Sequence, residues 1–95
     1  IILDEMCVHL RTLGGATSVT IAVEKSGDNF TTATSVLSAV FTLTTTGDSV
    51  VKSGGDLQNT TIADNDEVRV TLTVNGGGAP LDLTLNFTFK VILQA

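Results

Sequence analysis

The stretch 81–93 alternates between apolar and polar side chains with a period of two residues. Its apolar members all fall on odd positions, and they are Leu81, Leu83, Leu85, Phe87, Phe89, Val91 and Leu93. Successive side chains of a β-strand point to opposite faces, whereas a helix would spread these residues around its circumference. The pattern therefore predicts a long strand over 81–93 with one face in a hydrophobic core.

Similar alternation marks other segments, and clusters of Gly, Asp and Asn separate them. The predicted strands are 6–11, 19–24, 36–46, 50–52, 67–74 and 81–93, with a further short strand at 59–62. Because the Gly-rich segment 75–80 lies between the last two, we expect 67–93 to form an antiparallel hairpin with a flexible tip. Six to eight short strands predict an all-β fold, an antiparallel β-sandwich or jelly roll.

Length and composition limit the kind of protein. A chain of 95 residues suits one domain over 1–95 with a modest core. Hydrophobic residues make up 42% and charged residues 16%, which excludes a disordered segment. No apolar run approaches the roughly 18 residues of a membrane span. The chain opens on Ile1 rather than Met, so we expect a processed chain or part of a longer one.

Charge and cysteine content narrow the choice of partners. The net charge is -5, and the basic residues are scattered as Arg11, Lys25, Lys52, Arg69 and Lys90. Nucleic acids and anionic membrane surfaces both require a concentrated basic patch, so neither is an expected partner. Because Cys7 is the only cysteine, no intrachain disulfide can form, and stability must come from packing or from assembly with other copies.

No constellation of residues predicts catalysis or a cofactor. Cys7 and His9 share a face of one predicted strand, but side chains two residues apart lie about 6–7 Å from each other. This spacing is too long for a direct hydrogen bond, so an outer or interface surface is the favoured interpretation. Structural zinc requires about four clustered ligands, and the chain has one Cys and one His. We therefore expect no enzyme, no metal and no cofactor.

Two weaker candidates involve acidic and aromatic residues. The segment 64–67 could offer oxygen ligands to Ca²⁺ but lacks the spacing of a calcium loop, which favours a turn entering a strand. A glycan cleft usually carries Trp or Tyr, and the sequence has neither. Phe41, Phe87 and Phe89 follow the predicted buried parity, whereas Phe30 follows a turn and would be a sugar-stacking platform only if exposed.

The order of turns and strands carries a family resemblance. The segment 14–18 (GGATS) leads into 19–25 (VTIAVEK), and 62–70 (IADNDEVRV) leads into the later strands. These segments resemble the "T-S-x-x-V-x-V-x-K-N-G" and "I-A-x-G-D-x-V-x-V" motifs of small jelly-roll domains on phage virions. The resemblance covers roughly 5–92. It departs at Asn65, where Gly is usual, and at 26–29 (SGDN), which replaces a simpler Asn-Gly turn.

The resemblance implies a structural virion protein, either a capsid decoration protein or a module of a head or tail fibre. It implies a location on the virion surface after assembly in the host cytoplasm, a homotrimer, contacts with other capsid or tail subunits, and a host-surface glycan as a further partner. The loops 53–56 and 75–80 are candidates for outer contacts. The residues predicted to lie in assembly interfaces are Cys7, His9, Arg11 and Ile92.

Two other functions stay open at the level of sequence. A carbohydrate- or receptor-binding module would show an exposed aromatic shelf or bound Ca²⁺. An immunoglobulin-like adhesin domain would be monomeric and would occur as tandem copies in its parent gene. An enzyme ranks below both.

Overall fold

The computed structural model describes residues 1–91, which form strands joined by turns and one short 3₁₀ turn at Gly54–Asp56. The strands are β1 Ile2–Thr12, β2 Ser18–Ser26, β3 Thr34–Ser35, β4 Phe41–Leu43, β5 Ser49–Ser53, β6 Glu67–Asn75 and β7 Leu81–Lys90. Within residues 1–91, no helix has the length and apolar character needed to cross a membrane.

The strands form two sheets in which every pair is antiparallel. The first sheet has three strands in the order β5-β1-β7. In the second sheet β2 is central, β6 lies along one side, and β3 and β4 follow each other along the other side. The two sheets pack together, so the prediction of an all-β antiparallel sandwich is confirmed.

The core lies between the two central strands, because alternation directs one face of each strand inward. Met6, Val8 and Leu10 of β1 are fully buried against the opposite sheet, and so are Val19, Ile21 and Val23 of β2. Other buried members of the cluster are Leu3, Val36, Leu37, Phe41, Leu43 and Leu57. Burial of a Val, Leu, Ile, Phe or Met side chain contributes about 1.5–3 kcal/mol, so these contacts supply most of the stability.

A β-bulge near the start of β1 changes which positions of that strand point into the core. Leu3 pairs with Phe89 and Glu5 pairs with Thr88, so the register shifts by one residue at Asp4. The extra residue allows both Leu3 and Met6, three positions apart, to point inward. As a result β7 keeps a regular alternation from Leu83 to Lys90, whereas Asp82 at its start has a φ of 60°.

The prediction of one strand over 36–46 is wrong. Only Thr34–Ser35 and Phe41–Leu43 pair with β2, while Val36 and Leu37 are both buried and Ala39 is exposed. Burial of two adjacent residues departs from the alternation of a strand with one buried face, on which the prediction depended. The chain instead turns away from β2, and the Ser38 N–H donates to the Asp56 carbonyl at 2.9 Å.

The other short segments gave mixed outcomes. The predicted strand at 50–52 is confirmed as part of β5. The predicted strand at 59–62 is not formed, because only one isolated bridge joins Ile2 to Thr61.

The predicted hairpin over 67–93 is also wrong, although both of its strands exist. β6 pairs with β2 in one sheet, and β7 pairs with β1 in the other. The connection 76–80 is therefore an arch that crosses between stacked sheets, which lie about 10 Å apart. Positions 92–93 of the predicted last strand lie outside the described residues.

The arch 76–80 packs against a second arch, 13–17, that joins β1 to β2. The Ala79 N–H donates to the Gly14 carbonyl at 3.0 Å, and the Thr17 N–H donates to the Asn75 carbonyl at 2.8 Å. At Gly78, φ is +89° and a Cβ would lie 2.4 Å from the Ala16 nitrogen, so only glycine fits. The segment predicted as a flexible outer tip is thus a packed element.

Candidate functional site

The inner faces of β6 and β7 are open to solvent along one side of the sandwich. Val70, Leu72 and Val74 of β6 pair with the fully buried Val23, Ile21 and Val19 of β2, so they face the interior. Nevertheless the inward side chains of β6 are 38–47% exposed, because within residues 1–91 no strand lies beyond them. We call this apolar row, together with the inner face of β7, the open edge.

The inner face of β7 forms the other half of the open edge and is also partly exposed. Leu83, Leu85 and Phe87 pair with the core residues of β1 and are half-buried. Leu81 and Phe89, at the two ends of the strand, are 58% and 42% exposed. The predicted burial of the odd-numbered face is therefore confirmed only for the middle of the strand, where Leu83, Leu85 and Phe87 pack against the core. Leu81, Phe89 and Val91 are exposed, and Leu93 lies outside the described residues.

A small cavity separates β6 from β7 near the start of β6. It has a volume of about 110 Å³ and is lined by apolar side chains, namely Leu3, Val23, Ile62, Val68, Phe87 and Phe89. The rings of Phe87 and Phe89 lie beside it with their centroids 6.1 Å apart. The space is partly open to the surface, and its apolar lining favours an apolar occupant over a polar one.

The backbone at the open edge is competent for further strand pairing. β6 and β7 are 9 and 10 residues long, and in the described part of the chain each has a neighbour on one side only. Natural edge strands are usually short or carry charges that block pairing. The middle of β7 carries only Thr84, Asn86 and Thr88 on its outer face, so no charge blocks it.

Three of the predicted interface residues lie together on the outer face of the first sheet. Cys7 is half-buried between Val51 and Asn86, and His9 is exposed between its neighbours on β5 and β7. The Arg11 guanidinium donates to the Asp82 carboxylate at 2.7 Å, and both side chains are largely exposed. Ile92 lies outside the described residues. An interface on this face stays a prediction.

A polar pocket of about 310 Å³ lies at the turn after β2. It is lined by Lys25, Ser26, Gly27, Asp28, Thr32, Thr34 and Asp66. The Ser26 hydroxyl donates to Asp28 Oδ1 at 2.6 Å, and the Thr32 N–H donates to the same oxygen at 3.0 Å. These bonds, the serine hydroxyl first, lower the pKa of the Asp28 carboxyl from 3.8. The polar atoms therefore organise the turn itself.

The acidic segment 64–67 forms the turn before β6. The Ala63 N–H donates to Asp66 Oδ2 at 2.8 Å, and the Asp66 N–H donates to the Ala63 carbonyl at 3.1 Å. Asn65 has a φ of 68°, a conformation that Asn tolerates better than most residues. Residues 1–91 contain no group of three or more His, Cys, Asp or Glu side chains placed to hold a metal ion.

The phenylalanines divide between core and surface. Phe41 is fully buried, which confirms the prediction for this residue. Phe30 lies under the Arg69 guanidinium, whose central carbon is 4.4 Å from the ring centroid. Arg69 also bonds to Glu24 at 3.0 Å. A cation held over the ring covers one of its faces, so Phe30 does not form an open aromatic shelf.

Comparisons with known proteins give no indication of function, so a functional proposal must depend on the surfaces described above. No family model, no curated protein and no solved structure matches this chain. The open edge was missed by the sequence analysis because alternation shows which residues share a face, but not what covers that face. The available signal was the scarcity of apolar residues in 44–62, which leaves little material to cover a second side of the sandwich.

Proposed function

We propose that this chain is a structural subunit that acts by assembling with further copies of itself through the open edge. The observation that carries the proposal is the 38–58% exposure of Leu81, Phe89 and the inward residues of β6. Fully exposed, such side chains each present roughly 150–200 Å², so together they expose on the order of 500 Å². The largest apolar patch of a typical monomeric protein covers about 300–600 Å² and is often a functional surface.

The energetics agree with an assembly role. Burial of this area would contribute on the order of 10 kcal/mol before the costs of association are subtracted. A domain of 95 residues has a modest core, and oligomerisation is a common way to add to it. Assembly would therefore stabilise the fold as well as build a larger structure.

The more specific form of the proposal is a jelly-roll module on the surface of a bacteriophage virion, in a capsid decoration protein or in a head or tail fibre. Its support is the resemblance of 14–25 and 62–70 to motifs of such domains. The first segment covers the end of one arch and most of β2, and the second forms the turn that enters β6. A virion role requires stable surfaces and no catalytic chemistry, and the open edge supplies such a surface.

The test is the mass of the purified chain in solution, measured by sedimentation over a range of concentrations. We expect an oligomer that dissociates on dilution and is weakened at least tenfold by Leu72→Thr, which removes apolar area from the open edge. Val51→Thr is the matched control, because Val51 is 53% exposed on the outer face of β5. A chain that is monomeric at every concentration would contradict the proposal, and so would equal effects of the two substitutions.

A further inference from the structure

We propose that the second copy binds along β7 as an antiparallel strand, related to the first by a two-fold axis through Asn86. The first sheet would then run without interruption through both subunits. This inference depends on the proposed function, because it names the partner of the open edge and fixes the register of pairing.

The outer face of β7 is self-complementary. Its side chains are Thr84, Asn86, Thr88 and Lys90 in the regular part of the strand, with Asp82 at the start, where the backbone has a φ of 60°. Antiparallel pairing about Asn86 places Asp82 opposite the partner subunit's Lys90 and Thr84 opposite the partner subunit's Thr88. Opposite charges and Thr–Thr pairs are favourable in directly opposed positions, whereas like charges are not. Both ends of the strand therefore meet a complementary charge.

The inner face of β7 matches in the same register. Leu83 would lie opposite the partner subunit's Phe89, and Leu85 opposite the partner subunit's Phe87. Aromatic and aliphatic side chains in such positions pack well. Phe89, which is 42% exposed in the single chain, would gain a neighbour on its open side.

Other registers lose the charge pairs of the outer face. A two-fold axis through Thr84 places Asp82 opposite Asn86, and an axis through Thr88 places Lys90 opposite Asn86. Either shift removes both charge pairs and shortens the ladder. A shift that changes the parity would turn apolar side chains to the solvent face. The outer face thus favours the register about Asn86, and the inner face is compatible with it.

The β6 edge does not have this symmetry. Pairing of two β6 strands about Thr71 would place Glu67 opposite Asn75 and Arg69 opposite Thr73. An axis through Arg69 would oppose two arginines. β7 is therefore the strand whose sequence suits a second copy, while the β6 rows of the two subunits would lie side by side in the same interface.

Charges already present on β1 would extend the pairing. Arg11 bonds to Asp82 at 2.7 Å, and Lys90 bonds to Asp4 at 3.2 Å. In the dimer each Asp82 would lie between its own Arg11 and the partner subunit's Lys90, so charges of alternating sign would follow one another. Exposed pairs of this kind add little affinity, but they select the register and the partner.

A disulfide trap tests the axis directly. The background is a Cys7→Ser chain that forms the same oligomer in solution as the wild type. In this chain, Asn86→Cys places the cysteines of the two subunits opposite each other. Their Cα atoms would be about 4.5–5.5 Å apart, within the range of a disulfide. Thr84→Cys is the matched control, because four residues of strand separate the two copies of position 84 by about 13 Å. We expect most of the first variant, and little of the second, to form a covalent dimer on mild oxidation.

A charge exchange tests the register by a second route. Lys90→Asp gives a chain with acidic ends on β7, and Asp82→Lys gives a chain with basic ends. Each variant alone should weaken the dimer roughly tenfold, because like charges would face each other. An equal mixture should recover wild-type affinity through heterodimers. Recovery would also show that both chains fold, although Asp82 has a φ of 60°, which lysine tolerates less well.

The outcomes separate this inference from the proposed function. A monomer at high micromolar concentration overturns both. A trimer, or a dimer that Asn86→Cys does not trap, overturns the two-fold pairing along β7 and leaves assembly through the open edge standing. Equal trapping by the two cysteine variants, or no recovery on mixing, also overturns the register. Selective trapping at position 86 together with recovery on mixing supports it.

Discussion

The two sides of the sandwich are closed in different ways. On the side of β3, β4 and β5, the strands are short, and irregular segments place Val36, Leu37 and Leu57 over the core. On the side of β6 and β7, the strands are long and regular, and their inner faces stay exposed. Irregular chain covers an edge and blocks pairing, whereas regular strands leave an edge that another strand can extend. This difference in edge structure is the reason for proposing assembly through the open edge.

The largest expected effect comes from truncating one phenylalanine on each side. Phe41→Ala should lower the free energy of unfolding by about 3–5 kcal/mol, because Phe41 is fully buried on the closed side. Phe89→Ala, at the open edge, should cost the monomer less than half as much, since the ring is already partly in water. Urea denaturation of the monomer measures both. A larger loss of unfolding free energy for Phe89→Ala than for Phe41→Ala would contradict the difference between the two sides.

The next largest effect on the free energy of unfolding is expected in the arch 76–80, at one end of the open edge. Gly78→Ala should cost about 2–4 kcal/mol, because a Cβ at φ +89° would meet the Ala16 nitrogen at 2.4 Å. Gly77→Ala is the matched control, since its φ is +76° but no atom lies within 4 Å of the added Cβ. We expect about 1 kcal/mol for the control, from backbone strain alone. Thermal unfolding resolves the difference, and equal losses would show that the arches do not pack closely.

A smaller effect concerns the outer face of β6. Its outer face is partly covered, because Arg69 lies over Phe30 and bonds to Glu24. Arg69→Ala should lower the free energy of unfolding by about 1 kcal/mol. Arg11→Ala removes one exposed ion pair and should cost less than about 0.5 kcal/mol. Indistinguishable values in denaturant unfolding would mean that the loop carrying Phe30 does not cover β6.

The smallest effect concerns pH and the same loop. The hydrogen bonds to Asp28 lower its pKa in the folded state, so the unfolded chain binds more protons near the ordinary value of 3.8. This stabilisation is present above that pH and is lost as the pH falls through the lowered pKa. Asp28→Asn should flatten the decline of stability at acidic pH, as measured by urea midpoints. An unchanged decline would show that these bonds do not persist in solution.

The sequence predicted the strands better than their pairing. Alternation located β7 and β6 because each strand keeps one parity throughout. The same alternation fits a hairpin or an arch, and here the arch depends on Gly14 and Thr17, more than sixty residues before Gly78. The segment 36–46 failed because Val36 and Leu37 are both buried, a breach of parity that only contacts distant in sequence, such as that of Leu37 with Leu57, can enforce.

For the candidate site too, the sequence predicted which residues share a face but not what covers that face. Parity placed Cys7, His9 and Arg11 on one outer face, and they do share it. Parity also assigned Val70, Leu72 and Phe89 to an inner face, and that assignment holds. Their exposure depends on whether any further chain lies beyond them, and no local pattern contains that information.

The two arches, 13–17 and 76–80, are hydrogen-bonded to each other at one end of the molecule. They tie the sheets together beside Asn75, and at the far end, next to the small apolar cavity, the segment 60–62 that leads to β6 hydrogen-bonds to Ile1 and Leu3 at the start of β1. Separation of the two sheets at the open edge is therefore limited at both ends of β6. Among the β6 amides that bond to β2, exchange should accordingly be no faster near Glu67 than near Asn75.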